Sequence, residues 1–197
     1  MPVIAITGSL CVGKTTVLKI LKEKGARVFN VDRKIHSYYK DKTSIVYKKI
    51  KIIFPRVFDD KGNILRKKLG EIVFYDYDML KKLEKIVHPR LIRDLRRWVQ
   101  YRKGKPDIFV AEVPLLFERK LDKMFDEVIL VYTPRSILLN RVKTKFGLSK
   151  KEALKRLNLF SSLNKKKKYS DFVINNNSNI YDLKRMVSQI WQELKRG

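Results

Sequence analysis

A glycine-rich segment near the N-terminus combines residue types that bind phosphate. It reads Gly8-Ser9-Leu10-Cys11-Val12-Gly13-Lys14-Thr15 and fits the pattern G-x-x-x-x-G-K-[ST]. The glycines let the backbone turn so that its N–H groups surround phosphate oxygens, and a following helix would add the positive end of its dipole. The segment therefore predicts an ATP-binding loop, whose ligands we expect to be Ser9, Leu10, Cys11, Val12, Gly13, Lys14, Thr15 and Thr16.

The side chains of this loop differ in chemistry. Lys14 can reach the β- and γ-phosphates of ATP, and the hydroxyl group of Thr15 can ligate Mg²⁺. The alternative is a plain glycine turn between a strand and a helix, but such a turn needs no Lys-Thr pair. Cys11 is expected to be a small side chain that fits the loop. A thiol pKa lowered by the lysine and the helix dipole is a minor hypothesis.

Two carboxylates lie where a parallel sheet places its ligands. Asp32 follows the predicted strand 27–31, and Glu112 lies near the end of the predicted strand 108–113. In open α/β sheets, ligands bind at the carboxyl ends of the strands. Asp32 can orient an attacking hydroxyl group or take its proton, and Glu112 can hold Mg²⁺ through water. The alternatives are a helix N-cap for Asp32 and an ion pair for Glu112.

Short apolar runs alternate with helical periodicity along the chain, which predicts an α/β fold. The predicted strands are residues 3–6, 27–31, 108–113, 128–132 and 172–174. Their nearly continuous apolar character is typical of a parallel sheet that is covered on both faces. Helices are expected at 16–24, after the loop, and at 180–194, where apolar residues recur at helical spacing.

The middle of the chain lacks a strand signal. Helices are predicted at 44–53, 67–74, 77–87 and 89–102, with a turn at 58–63. These roughly 75 residues exceed a simple crossover, so we expect a helical insert over the sheet edge that holds a substrate. A second helical stretch is predicted at 135–160, where Ser149 and Glu152 form a capping-box pattern. The lysines at 165–168 are expected to form a solvated face.

Composition limits the possible functions. The 197 residues include 46 Lys and Arg against 20 Asp and Glu, a formal net charge of +26 that attracts polyanions. The lysines are spread along the chain and match no zinc-finger, basic-zipper or RNA-binding signature, so no specific nucleic-acid partner is expected. A single cysteine excludes a disulfide framework. Without a bilayer-length apolar run or a signal-peptide pattern, we predict a cytoplasmic protein with no membrane partner. We expect a monomer and leave an oligomer open.

Several further segments follow the loop in a characteristic order. They are 28–32 (VFNVD), 60–69 (DKGNILRKKL), 83–89 (LEKIVHP), 113–118 (VPLLFE) and 170–176 (SDFVINN). With these segments the chain resembles the dephospho-coenzyme A kinase family over nearly its whole length. The His-Pro and Pro-Leu-Leu-Phe-Glu segments are more specific than the loop, which many kinases share. The resemblance implies a three-layer P-loop NTPase fold with a five-stranded parallel sheet, a helical substrate-binding insert and a helical lid.

The resemblance also implies a role for each matching residue. Asp32 falls on the family's catalytic carboxylate, which acts on the ribose 3′-hydroxyl, and Arg141 falls on a lid arginine that meets the ATP phosphates. With Lys14 these two residues form the predicted catalytic set. Acceptor binding is assigned to Asp32, Arg66, His88 and Glu118. His88 as part of a helix start and Arg66 as a surface arginine remain alternatives, and Lys166 could contact phosphate when the lid closes.

Three residues depart from the family pattern. Asn30 stands where an Asp is usual, Lys145 where the lid has a second Arg, and Phe160 where a Gln is usual. Lys145 keeps the positive charge and so remains a predicted ATP ligand, but it lacks the two-pronged geometry of arginine. We expect activity, and slower turnover or altered nucleotide affinity is left open.

These assignments divide the chain into three functional parts. The predicted nucleotide-binding core comprises residues 1–32, 106–134 and 168–197, the acceptor domain residues 33–105, and the lid residues 135–167. The predicted reaction transfers the γ-phosphoryl group of ATP, with Mg²⁺, to the 3′-hydroxyl of dephospho-coenzyme A in the last step of coenzyme A synthesis. The alternatives are a nucleoside or nucleotide kinase of the same fold, and a nucleic-acid-binding protein with ATP as a switch.

Overall fold

The computed structural model describes residues 1–114, 116–158 and 163–196. The chain divides into two compact units. The first contains residues 1–29 and 99–197, and the second contains residues 30–98. No helix among the described residues is long and apolar enough to cross a membrane.

The first unit is built around a five-stranded parallel sheet. Its strands are β1 (Val3–Thr7), β2 (Arg27–Phe29), β3 (Phe109–Glu112), β4 (Glu127–Tyr132) and β5 (Phe172–Asn175). The strand order is β2-β3-β1-β4-β5, so β1 occupies the centre, and all five of its residues are buried. This arrangement confirms the predicted α/β fold and its parallel sheet. It also places the segment that follows β1 at the carboxyl edge of the central strand.

Helices precede and follow these strands. In chain order they are α1 (Lys14–Glu23), α2 (Val31–Lys40), α3 (Ile45–Ile53), α4 (Arg66–Tyr75), α5 (Tyr77–Gln100), α6 (Arg135–Phe146), α7 (Lys150–Leu157), α8 (Leu163–Lys168) and α9 (Ile180–Arg196). In the first unit, α1 packs against α9 and the strands β1, β2 and β3. The predicted capping box is confirmed, because the Ser149 N–H donates to the Glu152 carboxylate and the Glu152 N–H donates to the Ser149 hydroxyl.

The second unit is helical and has a core of its own. Its helices α2 to α4 and most of α5 enclose Tyr38, Val46, Ile50, Phe54, Val57, Leu69, Ile86 and Val87. Helix α3 begins at an N-cap, where the hydroxyl group of Ser44 accepts a hydrogen bond from the Tyr47 N–H at 3.1 Å. The predicted helices at 44–53 and 67–74 are confirmed to within one residue at each end.

Two predicted boundaries in this region are wrong. Strand β2 ends at Phe29, so Asp32 lies in the first turn of α2 and not at the end of a strand. Asn30 ends the strand pattern because its side chain caps α2. The predicted break before Pro89 is also absent, since α5 runs through it from Tyr77 to Gln100. Buried residues continue on both sides of the proline, at Val87 and Leu95, and this packing holds the helix together.

Candidate active site

The loop between β1 and α1 has the backbone shape that its glycines permit. Gly8 and Gly13 have φ angles of 149° and 98°. A Cβ atom at Gly8 would overlap the carbonyl oxygen of Val131, and one at Gly13 would overlap the side-chain amide of Asn176. Both positions therefore require glycine, for the backbone angle and for the close approach.

Lys14 lies across this loop. Its ammonium group donates to the carbonyl oxygens of Gly8 at 3.1 Å and Ser9 at 2.7 Å, and the residue is only 8% exposed. Burial lowers the pKa of Lys14, while the charge of Glu112 acts in the opposite direction. The lysine is thus held in place over the loop, and a phosphate group would supply a negative partner for its charge.

Thr15 and Glu112 bring two kinds of oxygen together. The Thr15 hydroxyl group lies 3.2 and 3.4 Å from the two carboxylate oxygens of Glu112. A hydroxyl and a carboxylate are ligands that suit Mg²⁺, which binds few protein groups and completes its shell with water and substrate phosphates. The described residues contain no cluster of three or more His, Cys, Asp or Glu that could hold a metal ion. The residues present therefore fit a Mg²⁺ ion that is held jointly with a nucleotide.

Two supporting residues, Thr133 and Asn176, were not predicted from the sequence to belong to the site. The Asn176 side chain donates to the carbonyl oxygen of Val12 at 2.9 Å, and its backbone oxygen accepts a hydrogen bond from the Thr133 hydroxyl group. Thr133 in turn accepts a hydrogen bond from Arg141 at 3.2 Å. A chain of contacts therefore joins the loop to α6. One available signal was positional, because Thr133 and Asn176 directly follow β4 and β5 at the same sheet edge as the loop. Asn176 is also the last residue of the segment 170–176 that carries the family resemblance.

Cys11 sits within this cluster of positive charge. It has a φ angle of 58°, and the charges of Lys145, Lys14 and Arg141 all favour its thiolate form. Burial outweighs them and raises the pKa of the thiol. The minor hypothesis of a lowered pKa is wrong, because desolvation of the thiolate is the larger effect. The same interactions show that Arg141 and Lys145 of α6 lie close enough to the loop for their charges to act on it.

A cavity opens in the helical unit. It has a volume of about 280 Å³ and is lined by Asp32, Ile35, His36, Tyr39, Arg66, Leu69, Gly70, Val73 and Leu83. The structure therefore brings together Asp32 and Arg66, two of the residues assigned to acceptor binding. His88 is half-buried in α5 and is not among the residues that line this cavity.

The exposed carboxylate of Asp32 projects from a helix turn that is fixed by its neighbour. The Arg33 N–H donates to the side-chain oxygen of Asn30 at 2.8 Å, which makes Asn30 the N-cap of α2. The alternative in which Asp32 itself caps the helix is wrong. Because an amide oxygen accepts this bond as a carboxylate would, Asn30 preserves the local geometry without the charge.

Comparison with known proteins identifies the family. A family profile described as dephospho-CoA kinase matches residues 2–182. The chain belongs to the dephospho-CoA kinase family. It is 35% identical over 192 residues to a dephospho-CoA kinase of Fusobacterium nucleatum, covering 98% of both chains. It is 33% identical over 193 residues to one of Aquifex aeolicus, covering 98% of this chain and 97% of that relative.

A solved structure supports the same assignment. The dephospho-CoA kinase from Campylobacter jejuni has a TM-score of 0.71 and 26% sequence identity to this chain, covering 99% of this chain and 98% of that one. The resemblance and the P-loop kinase fold predicted from the sequence are therefore confirmed.

Three further residues of the dephospho-CoA kinase pattern are Glu118, Lys145 and Phe160. Glu118 pairs with Lys166 at 2.8 Å, and Lys166 is 3% exposed. The expectation that the lysine tract is entirely solvated is therefore wrong at Lys166, because its charge is needed by a half-buried carboxylate. Lys145 is exposed on α6. Phe160, the third departure from the family pattern, lies outside the described residues.

Proposed function

We propose that the protein transfers the γ-phosphoryl group of ATP to the ribose 3′-hydroxyl of dephospho-coenzyme A, the final step of coenzyme A biosynthesis. The observation that carries this proposal is the buried Lys14 held across a glycine loop, beside the Thr15–Glu112 oxygen pair. Membership of the dephospho-CoA kinase family supplies the acceptor.

The nucleotide half of the reaction depends on charge neutralisation. The loop amides and Lys14 would bind the phosphates, and Arg141 and Lys145 would add positive charge from α6. Thr15 and Glu112 would hold a Mg²⁺ ion, which supplies further neutralisation of the transferring group when bound. Arg141 is steadied by Thr133, so its fork is oriented before the nucleotide arrives.

The acceptor half of the reaction depends on Asp32. Its carboxylate is exposed at the first turn of α2 and lines the cavity of the helical unit. We assign it the task of orienting the 3′-hydroxyl group or accepting its proton as the phosphoryl group transfers. Arg66, on the same cavity, is assigned to the negative charge of the acceptor.

The functional parts of the chain remain proposals. We assign nucleotide binding to residues 1–32, 106–134 and 168–197, acceptor binding to residues 33–105, and a lid to residues 135–167. Closure of that lid would exclude water from the transferring group. We also propose that His88 and Glu118 belong to the acceptor site, and that the protein acts in the cytoplasm as a monomer.

A product assay tests this function. Purified protein is incubated with MgATP and an equimolar mixture of dephospho-coenzyme A, adenosine and AMP, and the products are separated by mass spectrometry. Coenzyme A is expected as the dominant product. Phosphorylation of adenosine or AMP in its place would make the protein a kinase of another acceptor. Nucleotide binding without any phosphorylated product would contradict a kinase function altogether.

A further inference from the structure

The cavity of the helical unit contains more than the two residues that the proposed function uses. Its volume of about 280 Å³ is slightly below the roughly 300–1,000 Å³ of pockets that enclose a whole drug-sized ligand. Dephospho-coenzyme A is larger than such a ligand, so the cavity can hold only one part of it. The lining residues and the position of Asp32 indicate which part of the acceptor this is.

The lining combines apolar walls with a few polar groups. Ile35, Leu69, Val73 and Leu83 supply the apolar surface. Tyr39 adds an aromatic ring, and burial raises the pKa of its hydroxyl group to about 12, so the group stays a neutral donor. His36, whose ring centroid lies 6.5 Å from that of Tyr39, adds ring nitrogens that can bond to a ligand edge. Asp32 and Arg66 add one charge of each sign, and the rest of the lining suits a flat, uncharged ring with polar edges.

The covalent structure of the acceptor restricts what can enter. If the 3′-hydroxyl group is at Asp32, the parts of the acceptor nearest to that carboxylate are the ribose, the base and the 5′-phosphate. Only the 2′-carbon separates C3′ from C1′, which bears the base. The 5′-phosphate is charged and suits Arg66 and not the apolar walls, where it would lose its hydration, whereas the pantetheine arm lies beyond the diphosphate. The base is therefore the group that both reaches and suits the apolar walls of the cavity.

We propose that this cavity binds the adenine base of dephospho-coenzyme A and that Gly70 determines its specificity by leaving room for the ring. The inference rests on the proposed function, because Asp32 fixes the position of the ribose. Gly70 lies on the face of α4 that also carries Arg66, Leu69 and Val73, at helical spacings of three and four.

Neither the packing nor the backbone conformation of α4 requires a glycine at position 70. A Cβ atom there would meet nothing within 4 Å among the described atoms, and its φ angle is not positive. A glycine in the interior of a helix costs about 1 kcal/mol relative to alanine. The position therefore sacrifices helix stability without a packing or backbone requirement from the protein itself. Open space beside a cavity wall is the feature that a side chain at this position would remove.

Two substitutions at Gly70 provide a matched test. Gly70→Leu projects a branched side chain from the cavity wall, whereas Gly70→Ala adds one methyl group and improves the helix in the same way. Both variants are expected to fold, and thermal unfolding checks this. We expect Gly70→Leu to raise the KM for dephospho-coenzyme A about tenfold or more and to leave the KM for ATP within about twofold, with Gly70→Ala close to the parent.

Acceptor fragments identify the part that binds. Each protein is saturated with an unreactive β,γ-methylene analogue of ATP, and AMP or 4′-phosphopantetheine is then titrated by calorimetry. We expect Gly70→Leu to weaken AMP binding about tenfold and to leave 4′-phosphopantetheine binding unchanged. Unchanged AMP binding, or equal weakening of both fragments, would overturn the proposal. Failure of the proposed function is separate, because it would appear in the unsubstituted protein as the absence of coenzyme A.

Discussion

At the scale of single residues, Asp32 carries the carboxylate to which we assign a step in phosphoryl transfer. Replacing Asp32 by Asn keeps the size and polarity of the side chain but removes a base. We expect turnover to fall about a hundredfold or more, because positioned proton transfer contributes that much to catalysis. The KM for ATP should change by less than about twofold, since every residue of the phosphate loop is kept. Steady-state kinetics with each substrate varied in turn measures both quantities.

The control for Asp32→Asn is Asp60→Asn in the same unit. Asp60 is also exposed and also loses one negative charge, but it does not line the cavity. Its substitution should leave both turnover and KM near those of the parent. Equal losses of turnover and ATP binding in Asp32→Asn would argue against a role in proton transfer.

Gly13 is the residue on which the shape of the phosphate loop depends. Gly13→Ala would place a methyl group against the side-chain amide of Asn176, at a φ angle of 98°. We expect ATP affinity to fall at least about tenfold, because the loop must move away from Asn176 and its amides lose their arrangement. Fluorescence titration with a labelled ATP analogue measures the change.

Gly104→Ala is the control variant, in which alanine takes a positive φ angle without a steric clash. Gly104 also has a positive φ angle, 77°, but a Cβ there meets nothing within 4 Å among the described atoms. The variant should lose about 1 kcal/mol of stability and keep its ATP affinity. If both variants bind ATP equally well, the contact between Gly13 and Asn176 does not shape the loop.

At the scale of elements, one buried carboxylate ties α2 to α5. Asp94 accepts a hydrogen bond from the Tyr38 hydroxyl group at 2.8 Å and pairs with Lys34 at 3.1 Å and Arg90 at 3.3 Å. Lys34 and Tyr38 belong to α2, which also carries Asp32. The contacts therefore fix the middle of the helix, while Asn30 fixes its first turn.

Asp94→Asn should weaken these contacts between α2 and α5, and the effect on stability should depend on pH. We expect a loss of about 2 kcal/mol in the free energy of unfolding at pH 7, because a charged hydrogen-bond acceptor is removed from two cations. The hydrogen bond from Tyr38 and the charge of Lys34 hold the pKa of Asp94 below its usual value, although burial opposes them. Its stabilising contribution is thus complete above the ordinary carboxyl pKa of about 3.9 and is lost as the pH falls further.

Urea unfolding of both proteins between pH 7 and pH 3 measures this difference. The gap between the parent and Asp94→Asn should narrow below about pH 4, where the Asp94 carboxylate of the unfolded parent takes up a proton before that of the folded parent. Asp60→Asn should show no comparable gap at any pH. A gap that persists unchanged at pH 3 would mean that the charge of Asp94 is not what stabilises the helices.

The sequence predicts which helices and strands form better than it predicts where they end and which distant residues they contact. The strands, the loop and the capping box at Ser149 depend on local patterns, and the structure has them. The interior Pro89 and the buried Lys166 depend on contacts with residues distant in sequence, which no local pattern contains. Likewise, the side chain of Asn176 reaches a loop 164 positions earlier. The cavity in the helical unit, formed by three helices, belongs to the same class of features.

The net charge of +26 is a property of the whole molecule. Basic residues are spread over both compact units, and they give the protein a general attraction for polyanions. The substrates of the proposed reaction are themselves anions, so the same charge would favour their approach to the protein. General attraction and a dedicated nucleic-acid site differ in how the binding affinity depends on salt concentration and on nucleotide sequence.

Salt titration distinguishes these two origins of polyanion binding. We expect the protein to bind single-stranded DNA of random sequence at 50 mM salt, and to lose about a hundredfold or more in affinity by 200 mM as counterions compete for the phosphates. Fluorescence anisotropy with several unrelated labelled oligonucleotides measures both effects, and their affinities should agree within about threefold. Tight binding that survives 200 mM salt and prefers one sequence would instead indicate a nucleic-acid site. Because general polyanion binding comes from the surface charge, Gly70→Leu should leave the DNA affinities unchanged.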